Sequence, residues 1–176
     1  VPDCGYSSSS QEASTGAIFG TDNPTIYQSR RFIRSNRPNL SYQFTVPNGD
    51  YEVRLHFAEV WSTAFAPGVR VFDVSVEGAL KLDNFDIFAT AGANTAYVAK
   101  IPTTVADGTL NLRFDRVVQN PTIAAIEVYP VLATGPADTE APTAPGNLAA
   151  TTVTTDSVAL GWIGSTDNTG VIGYRI

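Results

Sequence analysis

Leu40-Ser41-Tyr42-Gln43-Phe44-Thr45-Val46-Pro47-Asn48-Gly49-Asp50-Tyr51-Glu52-Val53-Arg54-Leu55-His56-Phe57 carries the pattern that decides the fold. Leu40, Tyr42, Phe44 and Val46 alternate with Ser41, Gln43 and Thr45. Beyond Pro47–Asp50, Tyr51, Val53, Leu55 and Phe57 alternate with Glu52, Arg54 and His56. Successive side chains of a strand point to opposite faces, so each run buries one face and leaves the other polar. Asn and Gly tolerate positive φ, and two such runs around Asn48-Gly49 predict a β-hairpin.

The same period extends in the C-terminal direction. Phe72, Val74 and Val76 point one way between Val71 and Glu77, and Gly78 closes that run. Tyr97 to Pro102 reads as a shorter strand. Asp107-Gly108 turns the chain into Leu110, Leu112 and Phe114, which alternate with Asn111, Arg113 and Asp115. Ile123 to Tyr129 reads as one more strand. Helical periodicity is weak, with room for a single turn over Asn84–Thr90. Many short strands at regular spacing predict an all-β sandwich or jelly roll.

From Ala133 to Asn147 the pattern stops. Gly135-Pro136, Asp138, Glu140, Pro142 and Pro145 make an acidic, proline-rich connector of the kind that stiffens toward polyproline II. The expected organisation is therefore a β-sandwich over residues 1–131, a linker over 132–146 and the start of a second domain over 147–176. In that last part Val158, Leu160 and Trp162 share one face. Asp167–Gly170 reads as a loop, and Ile172, Tyr174 and Ile176 as the opening of another strand.

Composition narrows the function. The 176 residues carry a formal net charge of −6 and only 16% charged residues, with no Lys/Arg stripe to neutralise phosphates. Nucleic acid is not an expected partner. The nearest basic feature, Arg30, Arg31, Arg34 and Arg37, reads as a solvated face or as partners for carboxylates. A single cysteine, Cys4, allows no internal disulfide. No apolar run reaches the roughly 18 residues of a membrane-spanning helix. With no Met, the chain is expected to be processed or partial, any signal peptide already removed.

Two resemblances sharpen this reading. Ile26–Phe32, Val46–Tyr51, Leu55–Trp61, Arg70–Val74, Leu82–Phe88 and Asn120–Val128 follow one another as motif blocks of the malectin-like carbohydrate-binding family. The resemblance runs from about Gly16 to Tyr129. It implies a jelly-roll, galactose-binding-like β-sandwich whose end loops hold a short glucose-containing oligosaccharide. Carried over by position, the stacking aromatics fall on Phe32 and Trp61, and on Tyr6 if an insertion is allowed. The family's next aromatic is Ser62 here, and its Asp before Asn-Pro is Gln119, followed by Asn120. The family's opening strand, with its Trp-x-Ala-Asp element, reads as missing or altered. The tail, through Ala141–Pro145, Leu148, Val158/Leu160/Trp162 and Asp167–Tyr174, resembles the start of a bacterial fibronectin type III domain, a partial Ig-like sandwich. That resemblance implies a chain continuing beyond Ile176.

The residues themselves fit a sugar site, each with an alternative. A pyranose needs a flat apolar face for its C–H side and fixed polar groups for its rim. Trp61 stands where an alternating strand gives way to a loop, either exposed for binding or capping the core. Phe32 can stack or pack. Gln119 and Asn120 suit vicinal hydroxyls, and Asn120-Pro121 also marks a turn. Tyr27 and Arg31 read as structural. His56, the one histidine, lacks a second His or Cys nearby for metal or base chemistry. Asp73, Asp83 and Asp86 match no Ca²⁺ loop and read as turn carboxylates. No nucleophile elbow is present, and only a carboxylate pair such as Glu59 and Asp73 could serve a glycosidase.

Expected, then, is a non-catalytic module without cofactor or metal, extracellular or on a bacterial cell surface, binding glucan or glycan within a larger secreted protein. The competing reading is an architectural β-domain of a surface fibre or adhesin, its exposed strand edges completed by neighbouring subunits.

Overall fold

The computed structural model describes residues 10–13, 16–33, 39–131, 140–168, 170–171 and 173–174. The chain divides into two compact units, Val1–Leu132 and Ala133–Ile176. Cys4, Tyr6, Arg34, Arg37, Ile172 and Ile176 lie outside the described residues.

In the first unit the strands are β1 (Ser10–Ala13), β2 (Ser29–Phe32), β3 (Asn39–Thr45), β4 (Gly49–Phe57), β5 (Val71–Val76), β6 (Ala79–Phe85), β7 (Tyr97–Val105), β8 (Thr109–Val118), β9 (Thr122–Ile123) and β10 (Ala125–Pro130). One short helix, α1, spans Ile87–Ala91. A four-stranded sheet runs β3-β8-β5-β6, a three-stranded sheet β10-β4-β7, and a smaller one β1-β2-β9, every pairing antiparallel. The two larger sheets share one core. Leu40, Val53, Leu55, Phe57, Phe72, Val74, Leu110 and Phe114 are all 0% exposed. The Phe57 and Phe72 rings meet 5.9 Å apart, from different sheets. The unit is an all-β sandwich.

The alternation in β4 and β5 appears as read, with Tyr51, Val53, Leu55 and Phe57 buried on one strand and Phe72, Val74 and Val76 on the other. The hairpin around Asn48-Gly49 does not form. β3 pairs with β8, while β4 pairs with β7 and β10, so the turn carries the chain from one sheet to the other. Both runs bury a face in the same core, and period-two alternation is identical for strands side by side and strands face to face. Asn48 Oδ1 accepts the Gly108 N–H at 2.7 Å, and Val46 N donates to Gly108 O at 3.1 Å. The two sheet-changing turns thus brace each other.

Glu77-Gly78, at φ +51° and +72°, closes a tight hairpin between β5 and β6. The run read as one strand from Ile123 to Tyr129 is two. β9 pairs with β2 and β10 with β4, and Ala124 between them donates its N–H to His56 O at 2.9 Å. Pro102 sits in β7, an edge strand, where a missing N–H is tolerated.

In the second unit β11 (Gly146–Val153) and β12 (Val158–Ile163) form an antiparallel hairpin, so the stretch read as linker already enters a strand at Gly146. Thr154 N donates to Ser157 O at 2.8 Å across its turn. The strand read around Tyr174 is absent from Gly173 and Tyr174. Tyr174 is held through its side chain instead. Its hydroxyl accepts the Ser165 N–H at 2.6 Å, and its ring meets Trp162 edge-on at 5.3 Å.

Candidate functional site

Four residues singled out in the sequence come together at one end of the sandwich. Phe32, Trp61, Gln119 and Asn120 line a single cavity of about 260 Å³, completed by Arg30 and Arg70. Each reaches it through local structure. Phe32 ends β2, opposite Thr122 of β9. Trp61 heads the 3-10 turn Ser62–Ala64, its carbonyl accepting the Ala64 N–H at 2.7 Å, and this turn diverts the chain after β4. Gln119 follows β8 at φ +60°, a left-handed conformation that swings the chain toward β9.

The floor is a buried ion cluster of Arg30, Glu59 and Arg70 that sequence reading did not bring together. Glu59 is 0% exposed, Arg70 4% and Arg30 8%. Glu59 Oε2 accepts from Arg70 Nε at 2.6 Å. Its Oε1 accepts the Trp61 backbone N–H at 3.1 Å and faces Arg30 Nη1 at 3.5 Å. One carboxylate therefore anchors both guanidiniums and the backbone of the tryptophan. The Arg70 guanidinium lies 5.6 Å from the Trp61 ring centre, and that of Arg30 lies 5.8 Å from Phe32, within cation–π range. Arg30 is thus a carboxylate partner rather than part of a solvated basic face. Spacing could not reveal the cluster, since residues 30, 59 and 70 meet only through the fold.

The amides are committed on their oxygen side. Gln119 Oε1 accepts the Asn120 N–H at 3.1 Å, and Asn120 Oδ1 accepts from Arg116 at 3.3 Å. The Asn120 carbonyl accepts from Arg70 Nη1. Among the described residues neither amide NH₂ group has an acceptor, so both present donors.

A second polar cluster joins Tyr27, His56 and Glu127. His56, expected on the wet face of β4, is 7% exposed because β10 and the 3-10 turn Pro24–Tyr27 cover it. Its Nδ1 is 2.8 Å from the Tyr27 hydroxyl and its Nε2 is 2.9 Å from Glu127 Oε2. The His56 hydrogen bond holds the Glu127 carboxyl below its usual value, while burial pushes the Tyr27 phenol up. Asp73, Asp83 and Asp86 each accept local hydrogen bonds, Asp86 capping α1 through Ala89 N and tying down Gly68 N. Among the described residues no group of His, Cys, Asp or Glu side chains could hold a metal ion.

The malectin domain family matches residues 3–128. The chain belongs to that family. Malectin domains are carbohydrate-binding and non-catalytic, and relatives of this one include receptor-like proteins and kinesin-like proteins. Receptor-like protein 4 of Arabidopsis thaliana is 36% identical over 110 residues, 61% of this chain and 18% of that protein. Malectin of Mus musculus is 36% identical over 90 residues, 50% of this chain and 29% of that one. Chitinase A1 of Niallia circulans is 62% identical over 39 residues, 22% of this chain and 6% of that one. The chain thus spans less than a third of the length of each.

Among solved structures, the ANX2 ectodomain from Arabidopsis thaliana superposes with a TM-score of 0.64 at 16% identity, covering 75% of this chain and 43% of that one. A β-glucuronidase from Bacteroides uniformis does so at 0.62 and 19%, covering 72% and 14%. At such identities the likeness is one of fold. Among the described residues no helix is long and apolar enough to cross a membrane.

Proposed function

We propose that the first unit is a non-catalytic carbohydrate-binding module in which Phe32 and Trp61 stack on a sugar and the amide donors of Gln119 and Asn120 bind its rim. The observation that carries this reading is the shared cavity. Two aromatics and two amides, distant in sequence, line one hollow of about 260 Å³, beside a buried charge cluster that fixes the Trp61 backbone. Membership of a carbohydrate-binding family points the same way.

The module is further proposed to work outside the cell as one domain of a longer protein, as the receptor-like relatives suggest. Its second unit is proposed to open a fibronectin type III domain. The β11–β12 hairpin, with Trp162 on its second strand, is consistent with this.

The test is titration of the full chain with α- and β-linked glucose disaccharides and a broad glycan array, wild type beside Trp61→Ala. Specific binding that Trp61→Ala reduces by about tenfold or more, an aromatic contribution of ordinary size, supports the reading. Binding that is unchanged in Trp61→Ala contradicts the stacking role, and no binding to any glycan removes the function.

A further inference from the structure

The free hydrogen-bonding capacity of the cavity's side chains is one-sided. Arg70 gives Nε to Glu59 and Nη1 to the Asn120 carbonyl, and among the described residues Nη2 has no acceptor. Gln119 and Asn120 have their side-chain oxygens taken up by neighbouring donors, and among the described residues neither NH₂ group has an acceptor. Glu59, the carboxylate beside the cavity, is 0% exposed, with each oxygen accepting one hydrogen bond, from Arg70 or the Trp61 N–H, and with Arg30 Nη1 at 3.5 Å. The side-chain groups left to meet a ligand are therefore donors, on a guanidinium and two amides.

A neutral sugar is a poor match for such a rim. Each hydroxyl that accepts a hydrogen bond also carries a proton that wants an acceptor, and a buried donor left unmade costs free energy. A carboxylate or sulfate only accepts. Two guanidiniums, those of Arg30 and Arg70, are among the groups that line the cavity. Arg70 is held almost completely out of water, where a guanidinium pairs strongly with a planar anion.

We infer that the ligand is an anionic sugar whose carboxylate or sulfate docks on Arg70 Nη2 and the amide donors of Gln119 and Asn120, while its ring stacks on Trp61 or Phe32. The inference rests on the sugar-binding reading and names the class of sugar.

The experiment titrates the full chain with three glucose-based disaccharides of one linkage: neutral, oxidised at C6 to the uronate, and sulfated at O6. Each is measured at low and at high salt. At low salt the better anionic form is expected to bind about tenfold or more tightly than the neutral one, the gain of a charge-assisted hydrogen bond. That advantage is expected to shrink as salt rises. Preference for the uronate or for the sulfate tells the two anions apart. Arg70→Lys keeps a cation against Glu59 but loses the fork, and is expected to lower the anionic-to-neutral ratio. Neutral sugar bound as tightly as both anionic forms overturns the inference and leaves the sugar-binding reading standing. Binding of none of the three, in a glycan array as well, overturns both. The comparison among sugars needs only the wild-type chain, so a poorly folding variant does not cloud it.

Discussion

Removing the charge of Glu59 tests how the site is built. Its carboxylate is 0% exposed and lies 2.6 Å from Arg70 Nε and 3.5 Å from Arg30 Nη1. Glu59→Gln keeps the shape and one acceptor oxygen, but leaves two nearly buried guanidiniums without their shared counter-charge. Breaking a buried pair at one partner costs about 3–5 kcal/mol, and the retained acceptor puts this case near about 3. Domains of this size have about 5–15 kcal/mol in total, so the loss is a large fraction. With a urea slope of about 2 kcal/mol per molar, the unfolding midpoint should fall by about 1.5 M. Trp61 fluorescence reports the first unit directly in a Trp162→Phe background, since the chain has no other tryptophan. Glu59→Gln combined with Arg70→Gln should cost less than the sum of the two single changes, because the pair is one coupled unit. A midpoint drop below about 0.3 M for Glu59→Gln, or about 0.6 kcal/mol at that slope, would refute the idea that this carboxylate holds the site together.

Phe72→Ala empties a fully buried position against Phe57, Phe85 and Phe114, and should cost about 3–5 kcal/mol by denaturant unfolding. Gly78→Ala places a Cβ where nothing lies within 4 Å, yet at φ +72° it should still cost about 1–2 kcal/mol from backbone strain alone. Glu127 ionises more readily in the folded chain, so its stabilisation is full above the ordinary value of 4.5 and drains away as pH falls through the lower folded value. Unfolding measured from pH 6 down to pH 2 (roughly the range in which carboxylates titrate) should show a shallower acid loss in Glu127→Gln than in wild type.

Much of the sandwich was legible because its strands are half-buried in strict alternation. β4, β5 and β8 show it most clearly, with Val53, Val74 and Leu112 inward and Arg54, Ser75 and Arg113 outward. β6 escaped notice for the converse reason. It is an edge strand exposed over most of its length, with Leu80 at 53%, so no buried face imposes a period on its sequence. Pairing partners were less legible than strands. Alternation around Asn48-Gly49 reports two faces turned to a core but not whether they lie in one sheet, and the Ile123–Tyr129 run gave no hint that Ala124 changes sheets.

At the site, Phe32, Trp61, Gln119 and Asn120 were found through the positions of a family motif, and the fold brings them to one cavity. Arg30, Glu59 and Arg70 were present in the same motif blocks, Arg30 read among possible carboxylate partners and Glu59 only as half of a carboxylate pair with Asp73. Their function as a buried cluster exists only once β2, the end of β4 and the start of β5 converge. The free amide donors were equally hidden, since the oxygens of Gln119 and Asn120 are engaged by Arg116 and a backbone N–H that only the fold brings to them.

The central claim is that this cavity is where a sugar binds. Backbone and side-chain NMR shifts of the full chain, followed during titration with whichever disaccharide binds best, test it most directly. The account predicts shifts clustered on the Trp61 indole, the Phe32 ring and the Gln119 and Asn120 side-chain amides, with the β11–β12 hairpin unmoved. Saturable shifts confined to any other surface, with those four groups unchanged, would contradict it.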